Sequence, residues 1–254
     1  MGVLLPPLFS VNFEPWQWTL AVAAALLVGI SKTGIGGLGM LSVVIFAQIM
    51  PAKQATGIVL PLLIVGDLMA VASYRSHTQW RFLWRLFPWT AAGVIIGYFA
   101  LGRIDDRQAK VLIGVIILSL LVVHVLRRRG AVKEEGSHGW WLAPMIGVLA
   151  GFTTLVANAA GPLMAIYFLA MQLPKFQFVG TSAVFFLLIN SFKVPFMMDL
   201  HLINPQSLLL NLWLAPVVII GAVMGRKLLV KVDQRLFENL ALGLSALAGM
   251  KLLF

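Results

Sequence analysis

Two lysines and one aspartate interrupt long apolar stretches of this chain. Lys32 lies in the run Ser31-Lys32-Thr33-Gly34-Ile35-Gly36-Gly37, Lys193 lies within Phe185–Met198 next to Asn190 and Ser191, and Asp67 sits deep in a third apolar stretch. A lysine at the centre of a helix in lipid costs about 2.5–3.5 kcal/mol on insertion scales, so each needs a compensating role. One role is binding: two cations around a pocket for an anion. The other is structural, with either lysine snorkelling to an interface or balancing a buried acid such as Asp67. Asp67 divides in the same way. Alone in an apolar segment it is a candidate proton carrier for coupled transport; paired with Lys32, or capped near the water interface, it is structural.

The surroundings of the two lysines supply the rest of an anion site. Gly34, Gly36 and Gly37 in one stretch, and Asn158, Gly161 and Pro162 in another, are positions where a helix can break inside an apolar segment. A half-helix starting there leaves its first N–H groups unbonded and carries partial positive charge. Gly36 and Gly37 let the backbone approach a ligand, while Ser31, Thr33, Thr154, Asn158 and Asn190 can orient oxyanion oxygens by hydrogen bonds. The run from Gly34 to Met40 lacks the Gly-Lys-Ser/Thr ending of a phosphate-binding loop. His77, His124, His138 and His201 fall at segment ends or in loops without metal-ligand spacing, and no Ser-His-Asp order or His-Glu-x-x-His stretch is present. No catalytic residue, metal or cofactor is expected.

The elements that must position these residues are apolar and numerous. The chain of 254 residues is 60% hydrophobic and 11% charged, with no cysteine and a mean hydropathy of +0.95, too few polar side chains to coat a soluble globule. A net charge of +10 would suggest nucleic acid in a soluble protein. Here the basic residues sit in short runs between apolar segments, such as Arg127-Arg128-Arg129, as topology determinants do. Lipid is the expected surrounding, and nucleic acid is not a partner.

The sequence is also written twice. Pro88, Gly93, Gly97, Arg103, Asp105 and Arg107 recur at the same spacings as Pro216, Gly221, Gly225, Lys231, Asp233 and Arg235. Gly29, Gly39 and Leu41 match Gly151, Gly161 and Leu163, and Pro51, Gly57 and Asp67 fall near Pro174, Gly180 and Asn190 after a one-residue shift. The charges break this symmetry: Thr154 stands opposite Lys32 and Ala70 opposite Lys193. The pattern predicts an all-α polytopic membrane protein with a first repeat at 1–126, a cytoplasmic linker at 127–139 and a second repeat at 140–254.

Each repeat resolves into five apolar stretches, roughly 16–30, 34–50, 54–74, 83–101 and 108–126, then 140–156, 158–172, 177–198, 207–224 and 236–254. The first two of each set are short, predicting a broken or re-entrant pair followed by three spanning helices. If each repeat crosses an odd number of times, one face collects twelve lysines and arginines, including Arg75, Arg127, Lys175 and Arg226, and the other only Lys53, Arg103, Arg107, Lys110 and Lys251. If the short pair is one broken span, the bias vanishes. Odd parity therefore predicts inverted repeats with both termini outside and the start retained as part of the protein. Trp16, Trp18, Trp80, Trp84, Trp89, Trp140 and Trp141, near segment ends, are interfacial anchors.

The second copy resembles a known family. Gly151-Phe152-Thr153-Thr154, Ala157-Asn158-Ala159-Ala160-Gly161-Pro162, Leu173-Pro174-Lys175, Phe178-Val179-Gly180-Thr181-Ser182 and Asn190-Ser191-Phe192-Lys193-Val194-Pro195-Phe196 are similar to the second repeat of the TauE/SafE family of sulfite exporters and anion permeases. Gly29 to Gly37 resembles that family's opening Gly-rich motif, and the likeness covers nearly the whole chain. The resemblance implies a multi-pass transporter of small sulfur-containing anions, such as sulfite or sulfonates, in the bacterial inner membrane. A carrier of another small carboxylate or oxyanion is an alternative. A membrane enzyme would need a catalytic constellation, and an assembly factor would not need two buried lysines; a homo-oligomer stays open.

Overall fold

In the computed structural model, residues 13–34, 52–101 and 141–253 are described continuously, with scattered residues between 42 and 50 and between 103 and 122. Gly36, Gly37, most of the expected second and fifth segments, and the linker lie outside the described residues. What is described is helical: α1 (Pro15–Thr33), α2 (Ala52–Tyr74), α3 (Trp80–Leu101), α4 (Leu142–Ala157), α5 (Gly161–Ala170), α6 (Lys175–Asp199), α7 (Pro205–Lys231) and α8 (Gln234–Leu253), with one 3-10 turn at Arg75–His77.

Among the described residues four stretches are long and apolar enough to cross a membrane: Gln54–His77, Trp80–Leu101, Lys175–Asp199 and Pro205–Lys231. Their starts and stops follow local chemistry. Asn204 caps α7, its Oδ1 accepting from the Ser207 N–H at 2.8 Å while Pro205 occupies the first helical position, where a missing N–H costs nothing. The 10 residues of α5 rise only about 15 Å, half the hydrocarbon thickness, so α4 and α5 form the short pair expected from the sequence. Between them Asn158 adopts φ 51° and ψ 31°, a left-handed conformation that asparagine tolerates better than most residues. The break expected around Asn158, Gly161 and Pro162 is thus realised as the end of α4 at Ala157 and the start of α5 at Gly161.

Small residues decide which helices touch. A Cβ on Gly29 would stand 2.0 Å from the Val218 carbonyl oxygen, and one on Gly221 2.2 Å from that of Leu26, so α1 and α7 meet backbone to backbone. The contact between α3 and α4 has the same form: a Cβ on Gly151 would stand 2.0 Å from Thr90 O and one on Gly93 2.1 Å from Val148 O. Lipid offers helices no hydrophobic drive to associate, and close approach through glycine maximises dispersion contact instead. Gly93, Gly97, Gly221 and Gly225 are packing residues.

The remaining helices fix the direction of travel. The Thr78 hydroxyl donates to Gly180 O at 3.2 Å, joining the end of α2 to the start of α6, while a Cβ on Gly57 would meet Leu202 O at 2.2 Å, joining the start of α2 to the end of α6. These two helices are therefore antiparallel. The Lys175 ammonium donates to the Leu229 and Val232 carbonyls, which brings the end of α7 to the same edge. One end of the bundle consequently gathers the basic segments 75–85, 175 and 226–235. Trp16, Trp80, Trp84, Trp89 and Trp141 are all exposed, as membrane anchors must be.

Candidate functional site

The end of α1, the middle of α2, the α4–α5 break and one face of α6 enclose a cavity of about 80 Å³. A single water needs about 10–15 Å³ on this measure, so the space admits an anion of several heavy atoms. Its polar wall carries Ser31, Lys32, Asp67, Thr154, Asn158 and Asn190. Its apolar wall comes from Phe178, Val179 and Phe186 of α6 with Met164 and Ala165 of α5. The first residues of α5, Gly161 and Pro162, also face it, so the positive end of that helix points at the space.

A continuous chain of polar contacts links Lys32, Asp67 and Lys193. Lys32 Nζ lies 2.7 Å from Asp67 Oδ1, and Asp67 Oδ2 accepts from Asn190 Nδ2 at 2.7 Å. Asn190 Oδ1 accepts from Lys193 Nζ at 3.2 Å, and the same ammonium donates to Thr154 Oγ1 at 3.1 Å and to Asn158 Oδ1 at 2.6 Å. Asn158 Nδ2 in turn donates to the Thr56 carbonyl at 3.0 Å. Each asparagine amide is oriented by having a partner at both its oxygen and its nitrogen. The cluster sets two lysines against one carboxylate among apolar helices, where charges interact strongly.

The two lysines occupy different situations. Lys193 is fully buried and has three acceptors for its three N–H bonds, so it stands behind the cavity wall with no donor left over. Lys32 lines the cavity, retains 12% side-chain exposure, and lies 4.4 Å above the Phe186 ring. Beyond Asp67 it has no hydrogen-bond acceptor among the described residues, although it borders the space.

The expected site residues sort accordingly. Ser31, Lys32, Asp67, Thr154, Asn158 and Asn190 converge on the cavity, and Lys193 supports three of them. Thr33 does not join them: its hydroxyl donates to Ala222 O at 2.5 Å and seals the α1–α7 contact. Gly36 and Gly37 lie outside the described residues. Sequence reasoning missed Ser182 and Phe186. The available signal was the four-residue spacing of Phe178, Ser182, Phe186 and Asn190, which places them along one face of α6.

An all-helical bundle with membrane-length apolar helices around a buried, charged cavity defines a polytopic membrane protein of the transporter class. The family described as sulfite exporter TauE/SafE matches residues 21–252, and the chain belongs to it. This is a family of membrane transporters, not of enzymes. No curated protein and no solved structure matches the chain.

Proposed function

We propose that the protein is a secondary transporter that moves small anions, sulfite or organosulfonates, across the bacterial inner membrane. The observation that carries this reading is the buried cluster in which two lysines face one aspartate at the edge of a cavity between helix ends. An arriving anion takes up the free N–H bonds of Lys32. Lys193, through Asn158, Asn190 and Thr154, holds the wall in place and adds its field from behind. Because the anion and Asp67 compete for Lys32, binding loosens the ion pair, and Asp67 becomes the residue through which a proton can be coupled.

The architecture that supports alternating access is a pair of inverted repeats, 1–126 and 140–254, joined by the cytoplasmic linker 127–139. Three observations support it. Gly29 meets Gly221 through the same atoms by which Gly151 meets Gly93. Tyr74 O crowds Gly180 as Leu202 O crowds Gly57. The matching helices α2 and α6 run in opposite directions. With the basic end of the bundle taken as cytoplasmic, both termini face the periplasm.

The test is counterflow of radiolabelled sulfite, sulfonates and carboxylates in proteoliposomes, with and without a pH gradient. Asp67→Asn should abolish gradient-driven accumulation while preserving exchange at equal pH. Absence of counterflow for every anion would refute the transport reading, and wild-type accumulation by the variant would refute the role of Asp67.

A further inference from the structure

Ser182 is the cavity residue whose chemistry the ion cluster does not use. Its Oγ is buried from solvent, lies on the cavity-lining face of α6, and has no hydrogen-bond partner among the described residues. A buried hydroxyl without a partner costs free energy, and a helical serine can avoid that cost by donating back to its own preceding turn. Here it does not. We propose, building on the anion-transport reading, that Ser182 is a specificity-determining residue that donates to a second acceptor carried by the substrate, away from its charged head.

The spacing sets what that substrate looks like. Lys32 Nζ stands over Phe186, and Ser182 lies one helical turn earlier, a rise of about 6 Å along α6. Around the two polar points the wall is apolar, with Phe186, Val179, Ala183 and Met164 lining the cavity. Gly161 on the opposite side would carry a Cβ into empty space, with no heavy atom within 4 Å, so no packing contact requires glycine there and its absence of a side chain keeps the cavity open. An anion with an oxyanion head, a two- to three-carbon body and a terminal hydrogen-bonding group satisfies Lys32, the apolar wall and Ser182 together. A bare inorganic oxyanion satisfies the first alone.

The test compares 2-hydroxyethanesulfonate with the near-isosteric propane-1-sulfonate and with sulfite, using ligand-induced thermal stabilisation of the purified full chain. Ser182→Ala should weaken 2-hydroxyethanesulfonate about three- to tenfold, the loss of one neutral hydrogen bond, and leave the other two within about twofold. Equal weakening of all three anions, or no change for any, overturns the role of Ser182 while leaving anion transport standing. Failure of the unaltered protein to bind any of the three overturns both.

Discussion

Replacing Lys32 by methionine removes the one cation that, among the described residues, directly contacts the fully buried Asp67 carboxylate, and the outcome can be worked from the geometry. Asp67 would keep one donor, Asn190 Nδ2, and lose its 2.7 Å partner. Breaking a buried ion pair from one side costs about 3–5 kcal/mol, because the remaining charge is left uncompensated. The double variant Lys32→Met with Asp67→Asn removes both charges and leaves a neutral amide beside Asn190, so most of that loss should return, to within about 1 kcal/mol of the unaltered protein. Anion binding should not return with it. Saturating ligand at 100 times its dissociation constant stabilises a protein by about 2.7 kcal/mol, and this increment should vanish in both variants because the contacting cation is gone from each. Unfolding in detergent, followed with and without sulfite, measures both quantities in one series. A double variant no more stable than the single one would show that the ion pair is not what Lys32 provides to the fold. Sulfite-dependent stabilisation surviving in either variant would show that Lys32 does not touch the anion.

Other perturbations address the remaining parts. Lys193→Met leaves Thr154, Asn158 and Asn190 without their shared donor and should lower unfolding free energy by about 2–3 kcal/mol while weakening anion binding; unchanged midpoint and affinity would contradict the three-bond geometry. Gly29→Ala and Gly151→Ala each place a Cβ 2.0 Å from a carbonyl oxygen and should destabilise by about 1–3 kcal/mol, whereas Gly161→Ala meets nothing and should leave the thermal midpoint unchanged. A reporter active only in the cytoplasm, fused after Phe254, should be silent in a folded fusion; activity there would reverse the assigned orientation.

Much of the helix plan was legible because lipid enforces it. Apolar runs at 54–74, 83–101 and 177–198 anticipated α2, α3 and α6 to within a few residues, and Asn158 with Gly161 and Pro162 marked the α4–α5 break. The reach of α7 to Lys231 was underestimated, since Arg226 and Lys227 end the apolar run before the helix ends. Partner choice was harder to read. A helix surrounded by lipid is apolar on every side, so hydrophobic periodicity does not mark the packed face, and only the glycine spacings hinted at it. At the site, Lys32, Asp67 and Lys193 announced themselves by their cost in lipid. The division of labour between the lysines did not, because it depends on side-chain partners at positions 154, 158 and 190 that converge only in three dimensions. Ser182 stayed hidden for a related reason: an ordinary helical serine gives no sign in sequence that its hydroxyl is unbonded.

The glycine seam between α1 and α7 bears on how the protein is made. The Thr33 hydroxyl meets a carbonyl 189 residues further along the chain. At about 5–20 residues per second of synthesis, the first helix waits about 10–40 s for its partner to emerge. Asp67 arrives far sooner, so the charge of Lys32 can be neutralised while the face carrying Leu26, Gly29 and Ile30 is still covered by lipid alone. That face is apolar enough to wait in the bilayer, whereas an unpaired ammonium is not. The order of residues along the chain thus delivers the countercharge early and leaves the late-closing contact to groups that tolerate delay.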